Sequence, residues 1–170
     1  MTLLRALQKD ITTVVADAIV NVDNDILLGG DGVDSSIHNA AGPLLLAECH
    51  ALGGCAVGDA IVTSGYLLPA RWVIHTAVPE WRDGTQGEMD LLASCYRRCV
   101  EEAIGVGART LAFPVSSTGV YGYPFDMAAQ VAVDTVRQAI SAAAGQALDE
   151  VLFCCFSATD LRRMQAVLDC

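Results

Sequence analysis

Two glycine-rich segments carry the residue types and spacings that could do chemistry in this sequence. The first runs from Asn21 to Asp34, through Asn24, Gly29, Gly30, Gly32 and Val33. It leaves an apolar run and enters a segment of helical period. Its glycines permit positive φ and let an anionic group approach the backbone, and the free N–H groups at the start of the helix can hold a diphosphate without any Lys or Arg. Asn24 offers both a donor and an acceptor to sugar hydroxyls, and Asp34 at the mouth of the loop is a candidate base. The second segment runs from Pro114 to Pro124 through Ser117, Thr118, Gly119, Val120, Tyr121, Gly122 and Tyr123. The hydroxyls at 116 to 118 and the amides beside Gly119 and Gly122 can donate to phosphate, and Tyr123 can lie against a sugar. Taken alone, each segment could be a strand-to-helix turn that needs glycine for its geometry, with Asp34 only favouring the helix N-terminus through the dipole. Two such loops together favour a phosphate-bearing ligand. The GxGxxG pattern fails, because Ser35 stands where its last glycine would fall, and no GxxxxGK[ST] occurs.

Other residues add to this picture. The Asp10 carboxylate is acceptor-only and could select an amino-bearing base, a charge-assisted bond of about 1.5–3 kcal/mol; followed by Ile11 and two threonines, it could instead begin a turn. Of the three histidines, His75 reads as a hydrogen-bonded core residue, His50 as a helix surface residue and His38 as a brace for the loop, so none is assigned to catalysis. The seven cysteines form no CxxC pair. Cys95 and Cys99 lie four apart on a predicted helix and read as core packing, Cys154 and Cys155 read as buried, unreactive thiols, and no metal site is expected.

These residues must be positioned by strands and helices. Short apolar runs predict strands at Leu3 to Leu7, Ala16 to Val22, Ala60 to Thr63, Trp72 to Val78, Thr110 to Val115 and Val151 to Phe156. Leu92, Cys95, Tyr96, Cys99 and Ala103 share one helical face, as do Ala128, Val131, Ala132, Thr135, Val136 and Ala139. Shorter helices are predicted after Gly32, over Leu44 to Leu52 and over Thr159 to Val167. The polar, turn-rich segment Pro79 to Gly87 reads as a surface loop, either a site rim or an ordinary connection. Strands covered on both faces by helices make an α/β protein, a three-layer α/β/α sandwich with a mixed, mostly parallel sheet. Residues 1–170 form one domain in this reading.

Composition narrows the ligand class. A chain of 170 residues that is 53% hydrophobic and 18% charged has the make-up of a core-rich globular domain. Ten basic against 20 acidic residues give a net charge of −10, which disfavours nonspecific nucleic-acid binding but leaves room for a small phosphorylated ligand held by backbone N–H groups. No apolar run approaches the ~20 residues that a membrane span needs. The odd, unpaired cysteine set and the lack of a charged leader fit a reducing cytoplasm.

The pairs Asp10-Ile11 and Asn21-x-x-Asn24, the string Gly29-Gly30-x-Gly32-Val33-Asp34-x-x-Ile37-His38, then Ile74-His75-Thr76 and Ser117 to Pro124 occur in this order over nearly the whole chain. Together they resemble the macrodomain family, in particular the MacroD-type branch that includes bacterial O-acetyl-ADP-ribose deacetylases. The resemblance implies the three-layer fold and binding of ADP-ribose. It also implies hydrolysis of O-acetyl-ADP-ribose and removal of mono-ADP-ribose from acidic side chains of modified proteins, without metal or cofactor. Carried onto this sequence, it implies that Asp10 accepts a hydrogen bond from the adenine amino group beside the Ile11 amide, and that Phe156 stacks near the adenine and its ribose. Phe156 as plain core is the alternative. Asn24 would hold the distal ribose, Asp34 would help to activate a water, and Tyr123 would line the distal ribose. Asn21, Gly30, Gly32, Val33, Ser117, Thr118, Gly119, Val120, Tyr121 and Gly122 would complete the ligand contacts. The chain departs from the family pattern at Val22-Asp23, at Asp31 and at Val78. Asp23, Asp25 and Asp31 add charges near the expected diphosphate; pointing inward, each would repel it by about 2 kcal/mol at ~7 Å and an effective dielectric near 20, and the alternative is that they face solvent. The alternative to an enzyme is a module that binds ADP-ribose and releases nothing.

Overall fold

A computed structural model describes residues 1–23, 32–115, 123–143 and 148–170. Six strands, β1 (Leu3–Gln8), β2 (Ala18–Asp23), β3 (Ala60–Ser64), β4 (Trp72–Ala77), β5 (Thr110–Val115) and β6 (Glu150–Cys155), form one sheet in the order β1-β6-β5-β2-β4-β3. Every neighbouring pair is parallel except β3 with β4. Among the described residues, five α-helices flank the sheet: α1 (Val33–Ala41), α2 (Pro43–Leu52), α3 (Glu88–Gly105), α4 (Phe125–Ala142) and α5 (Ala158–Leu168). The mixed, mostly parallel α/β sandwich expected from the alternation of apolar runs and helical segments is the observed fold.

The period-two alternation of strand side chains divides the core into two layers. Ile19, Val73, Leu152 and Cys154 pack with Ile37, Ala41, Leu45 and Cys49 of α1 and α2. Val20, Ile74, Val151, Phe153 and Cys155 face the opposite layer, where Cys99 and Val100 of α3, Ala132, Val133 and Val136 of α4, and Met164 of α5 cover them. Phe113 and Phe153 stack there with ring centroids 5.8 Å apart. Each large side chain so buried stabilises the fold by roughly 1.5–3 kcal/mol.

Strand bounds differ from the sequence reading by a residue or two, for local reasons. β2 begins at Ala18 rather than Ala16, because Asp17 makes bonds outside the ladder. Its side chain accepts the N–H groups of Arg109 and Thr110 at 2.7 and 3.2 Å, and its carbonyl accepts those of Arg71 and Trp72 at 3.0 and 3.1 Å. β4 ends at Ala77, one residue before the Val78-Pro79 pair, and β6 ends at Cys155. Between α1 and α2, Gly42 takes φ +86°, and Pro43, with its ring-fixed φ, opens α2.

Candidate functional site

The two glycine segments begin at adjacent parallel strands. β2 pairs with β5 through Ala18 with Leu111 and Ile19 with Ala112, so both segments start at the same end of the sheet. The chain after β2 continues into α1 on one face, and the chain after β5 continues into α4 on the other. Adjacent parallel strands whose connections diverge to opposite faces open a crevice beyond their carboxyl ends, which is where open α/β sheets bind ligands. Of the sequence-derived site residues, Asn24, Gly30, Ser117, Thr118, Gly119, Val120, Tyr121 and Gly122 lie outside the described residues, as do Asp25 and Asp31.

One end of the crevice is marked by Asp10, Ile11 and Phe156. Gln8 and Cys155 are paired in register, and the Lys9 N–H donates to the Cys155 carbonyl at 3.2 Å, so Asp10 and Phe156 leave neighbouring strand ends together. Asp10 does begin a turn. It caps the one-turn helix Ile11–Thr13, and its Oδ1 accepts from the Thr12 N–H at 2.9 Å and the Thr12 hydroxyl at 2.8 Å. Both bonds fall on one oxygen, and no described residue bonds Oδ2. The turn and the proposed base contact are thus compatible. Ile11 is buried, and its turn packs against α1 and β5. Phe156 is 54% exposed, so it is no core residue; its N–H is tied to the Val115 carbonyl at 3.3 Å while its ring lies open.

At the start of α1, Gly32 adopts φ +71° and ψ −132°, a conformation that a side chain would strain, and Val33 and Asp34 form the first turn of the helix. Asp34 is not at the surface. It is 2% exposed, and its Oδ1 accepts from Asn21 Nδ2 at 2.6 Å and lies 3.4 Å from His38 Nε2. Asn21 in turn neighbours His75 in the β2–β4 register, with its Nδ2 3.3 Å from His75 Nδ1, and His75 Nε2 lies 2.8 Å from the Thr63 hydroxyl. Burial, with the nearby His38, lowers the His75 pKa to about 4 against the opposing pull of Asp34, so the ring is neutral. Asn21 Oδ1 and Asp34 Oδ2 are buried and have no hydrogen-bond partner among the described residues. His75 is the hydrogen-bonded core residue that its strand position suggested, and His50 is exposed on α2.

Tyr123 is buried, and its hydroxyl donates to the Glu88 carbonyl at 3.0 Å. The hydroxyl is therefore engaged within the protein. Its ring packs on Trp81 at a centroid distance of 5.2 Å, which ties the end of the second glycine segment to the 79–87 loop. That loop is held by Glu88, a residue that sequence reasoning missed. The Glu88 carboxylate accepts the N–H groups of Arg82, Asp83 and Gly84 at 3.1, 3.2 and 2.9 Å on one oxygen and that of Gln86 on the other. Burial alone would raise its pKa, but these backbone donors outweigh burial and bring it down to about 2. A glutamate closing a polar, glycine-bearing loop was the available signal, and nothing in the spacing distinguishes it from a helix-start carboxylate.

The Cys154 and Cys155 thiols are not poised as nucleophiles. Burial pushes Cys154 up to about 11 and Cys155 up to about 12, where a thiolate nucleophile is scarce at neutral pH. Among the described residues, no group of three or more His, Cys, Asp or Glu side chains could hold a metal ion.

A sequence model of the family described as Macro domain matches residues 20–132, which span both glycine segments. The chain belongs to the macro domain family. Over 166 residues it is 54% identical to the macro domain-containing protein RSc0334 of Ralstonia nicotianae, covering 98% of this chain and 94% of that one. It is 45% identical over 159 residues to O-acetyl-ADP-ribose deacetylase 1 of Pantoea vagans, covering 91% of this chain and 92% of the relative. Among solved structures, the Trypanosoma brucei macrodomain in complex with ADP-ribose superposes with a TM-score of 0.87 at 38% identity, covering 97% of this macro domain and 68% of that chain. The MacroD-type resemblance read from the motif order agrees with these matches.

Proposed function

We propose that this macro domain binds ADP-ribose across the crevice between β2 and β5 and hydrolyses ADP-ribose esters. The observation that carries this reading is the distribution of unsatisfied groups along the crevice. An open aromatic ring and a half-free carboxylate, Phe156 and Asp10, stand at one end. Two buried acceptors with no donor among the described residues, Asn21 Oδ1 and Asp34 Oδ2, stand where the first glycine segment rejoins the fold. A buried acceptor left without a donor costs about 1–3 kcal/mol, so such a pair calls for hydroxyls or water to complete it. The adenine stacks on Phe156 and donates its amino group to Asp10. The glycine segments hold the diphosphate, Gly30, Gly32, Val33 and residues 117–122 lending backbone and side-chain donors. Asn24 orients the distal ribose, while Tyr123 contributes its ring rather than its hydroxyl to the wall.

In the hydrolytic step, a water beside Asp34 attacks the ester as its proton passes toward the carboxylate. The ester C–O bond breaks, and the leaving oxygen takes a proton. O-acetyl-ADP-ribose so yields acetate and ADP-ribose, and a protein ester yields the free acidic side chain. The name of the Pantoea vagans relative supports this activity, and the Trypanosoma brucei complex supports the ligand. The burial of Asp34, 2% exposed and already bonded to Asn21, favours a second reading in which ADP-ribose is bound and not turned over. We place the protein in the cytoplasm, where its seven cysteines stay reduced, acting on ADP-ribose esters and mono-ADP-ribosylated proteins as one domain over 1–170. No helix among the described residues is long and apolar enough to cross a membrane.

Calorimetry with ADP-ribose and AMP, followed by a deacetylation assay on O-acetyl-ADP-ribose, tests the proposal. ADP-ribose should bind at least about tenfold more tightly than AMP, because only the larger ligand spans both glycine segments. Equal affinities overturn the binding reading. Tight binding without acetate release leaves the non-catalytic module.

A further inference from the structure

Beneath the crevice, a line of buried polar side chains crosses the layer between the sheet and α1, running from Thr63 on β3 through His75 on β4 and Asn21 on β2 to Asp34 on α1. All four residues are at most 3% exposed, in a layer otherwise filled by Ile19, Ile37, Leu45 and Val73. Apolar side chains would fill that space at less cost in desolvation. We infer that His75, held by Thr63, is a positioning residue that fixes the orientation of the Asn21 amide and, through it, the Asp34 carboxylate; this rests on the reading of Asp34 as the group beside the reacting water.

The donor and acceptor types allow one arrangement. The Asp34 carboxylate only accepts, so the Asn21 atom 2.6 Å from it is the amide nitrogen, whose second proton points at His75 Nδ1, 3.3 Å away. Nδ1 must then be unprotonated. The neutral ring carries its proton on Nε2, and the Thr63 oxygen at 2.8 Å accepts it. In the other tautomer, or in the imidazolium, an Nδ1–H would face the amide donor. Turning the amide to relieve that contact would set Asn21 Oδ1 against Asp34 Oδ1. The Nε2–H tautomer therefore holds Nδ2 on Asp34 and leaves Asn21 Oδ1 and Asp34 Oδ2 as acceptors without partners among the described residues. His75 reaches the reacting groups only through Asn21. Two further groups face the ring: the His38 ring of α1, with its centroid 6.5 Å away, and Cys49 Sγ of α2, 3.9 Å from Nε2.

Three variants and one spectroscopic measurement test this. In His75→Asn, the amide oxygen can take the place of Nδ1 as an acceptor for Asn21. In His75→Leu no acceptor remains, and Thr63→Val removes the group that selects the tautomer. His75→Leu should lower kcat for O-acetyl-ADP-ribose about 100-fold, the lower end for a displaced catalytic group, with KM and the ADP-ribose Kd within about threefold of wild type. His75→Asn should restore kcat to within about fivefold of wild type, and Thr63→Val should fall between the two. Nitrogen-15 spectra of the imidazole at neutral pH should show a single ring proton on Nε2. A fall in His75→Asn as deep as in His75→Leu, or a rise in KM with kcat unchanged, would mean that His75 only fills space and would overturn the inference. A proton on Nδ1 overturns it independently of any variant, and decides the matter if His75→Leu does not fold. Absence of wild-type turnover refutes the hydrolase reading instead, and the ring spectrum still decides whether His75 sets the Asn21 amide.

Discussion

Replacing Phe156 by alanine separates a ligand platform from a packing residue, and the structure sets the size of the effect. The ring is 54% exposed beyond β6, in a protein whose other phenylalanines are buried. A Phe buries about 150–250 Å² when fully covered, so roughly 100 Å² remains for a base to cover. At about 25 cal/mol per Å² this amounts to ~2.5 kcal/mol, inside the range of about 1–3 kcal/mol measured for base–aromatic stacking. Alanine should therefore weaken ADP-ribose binding by about 2 kcal/mol, close to 30-fold in Kd. By the same measure, the part of the ring that is already covered, somewhat under about 100 Å², contributes about 2 kcal/mol to folding, so Tm should fall by about 4–8 °C. Isothermal titration of wild type, Phe156→Ala and Phe156→Trp gives the answer, with tryptophan expected to retain most of the affinity. A Kd within about twofold of wild type for Phe156→Ala would refute the stacking argument. A large drop in Tm with unchanged Kd would return Phe156 to a packing role.

Other outcomes follow from the same geometry. Asn24→Ala and Asp34→Ala should each slow ester hydrolysis by roughly 10²–10⁴ in a deacetylation assay, with ADP-ribose binding kept in at least one of them; turnover near wild type in either would remove that residue from the mechanism. Asp34→Ala also strips Asn21 Nδ2 of the nearer of its two acceptors, so urea unfolding should show a loss of about 1–3 kcal/mol. Asp31→Gly should tighten ADP-ribose binding by removing a charge beside the diphosphate, and an unchanged or weaker Kd would show that the charge faces solvent. His75 is held near 4 in the fold against 6.5 unfolded, so between about pH 7 and about pH 5 the unfolded chain takes up a proton that the folded one refuses, and stability should fall by about 2 kcal/mol more in wild type than in His75→Asn. Glu88 acts in the same direction at lower pH: its contribution is complete above its usual 4.5 and is lost as pH falls toward about 2, so Glu88→Gln should flatten the acid limb of the unfolding profile.

The fold was legible because each strand is a short apolar run between turn signals and each long helix repeats its apolar face, as at Leu92, Cys95, Cys99 and Ala103. The candidate binding edge was legible for a different reason. Glycine segments joining a strand to a helix are visible locally, and the motif order gave Asp10, Asn21, Asp34 and Phe156. What lay outside the sequence was register. That Asn21 stands beside His75, and that Thr63 reaches the far side of the same ring, depends on how β2, β4 and β3 are laid together, which no local pattern encodes. The same holds for Glu88, whose four donors come from a loop with no fixed motif. Tyr123 adds a contact of the same kind: its place in the motif suggested a residue beside a sugar, and its packing on Trp81 and the bond of its hydroxyl to the Glu88 carbonyl leave the ring for that role.

Asp17 sits at the opposite end of β2 from the crevice, and its bonds to residues 71, 72, 109 and 110 set three strands level with one another. It serves as an alignment key. In a parallel pair no hairpin dictates how far one strand slides along the next, and a slip of one residue is a displacement of about 3.3 Å. Such a slip would carry Asn21 out of reach of His75 and turn every side chain of β2 to the wrong face. The tolerances of the crevice are thus set about 20 Å away, the length of one six-residue strand, by a carboxylate at the far end of that strand. Separating the gauge from the workpiece in this way lets the glycine segments vary in composition, as Asp23 and Asp31 already do, without disturbing the frame that aims them.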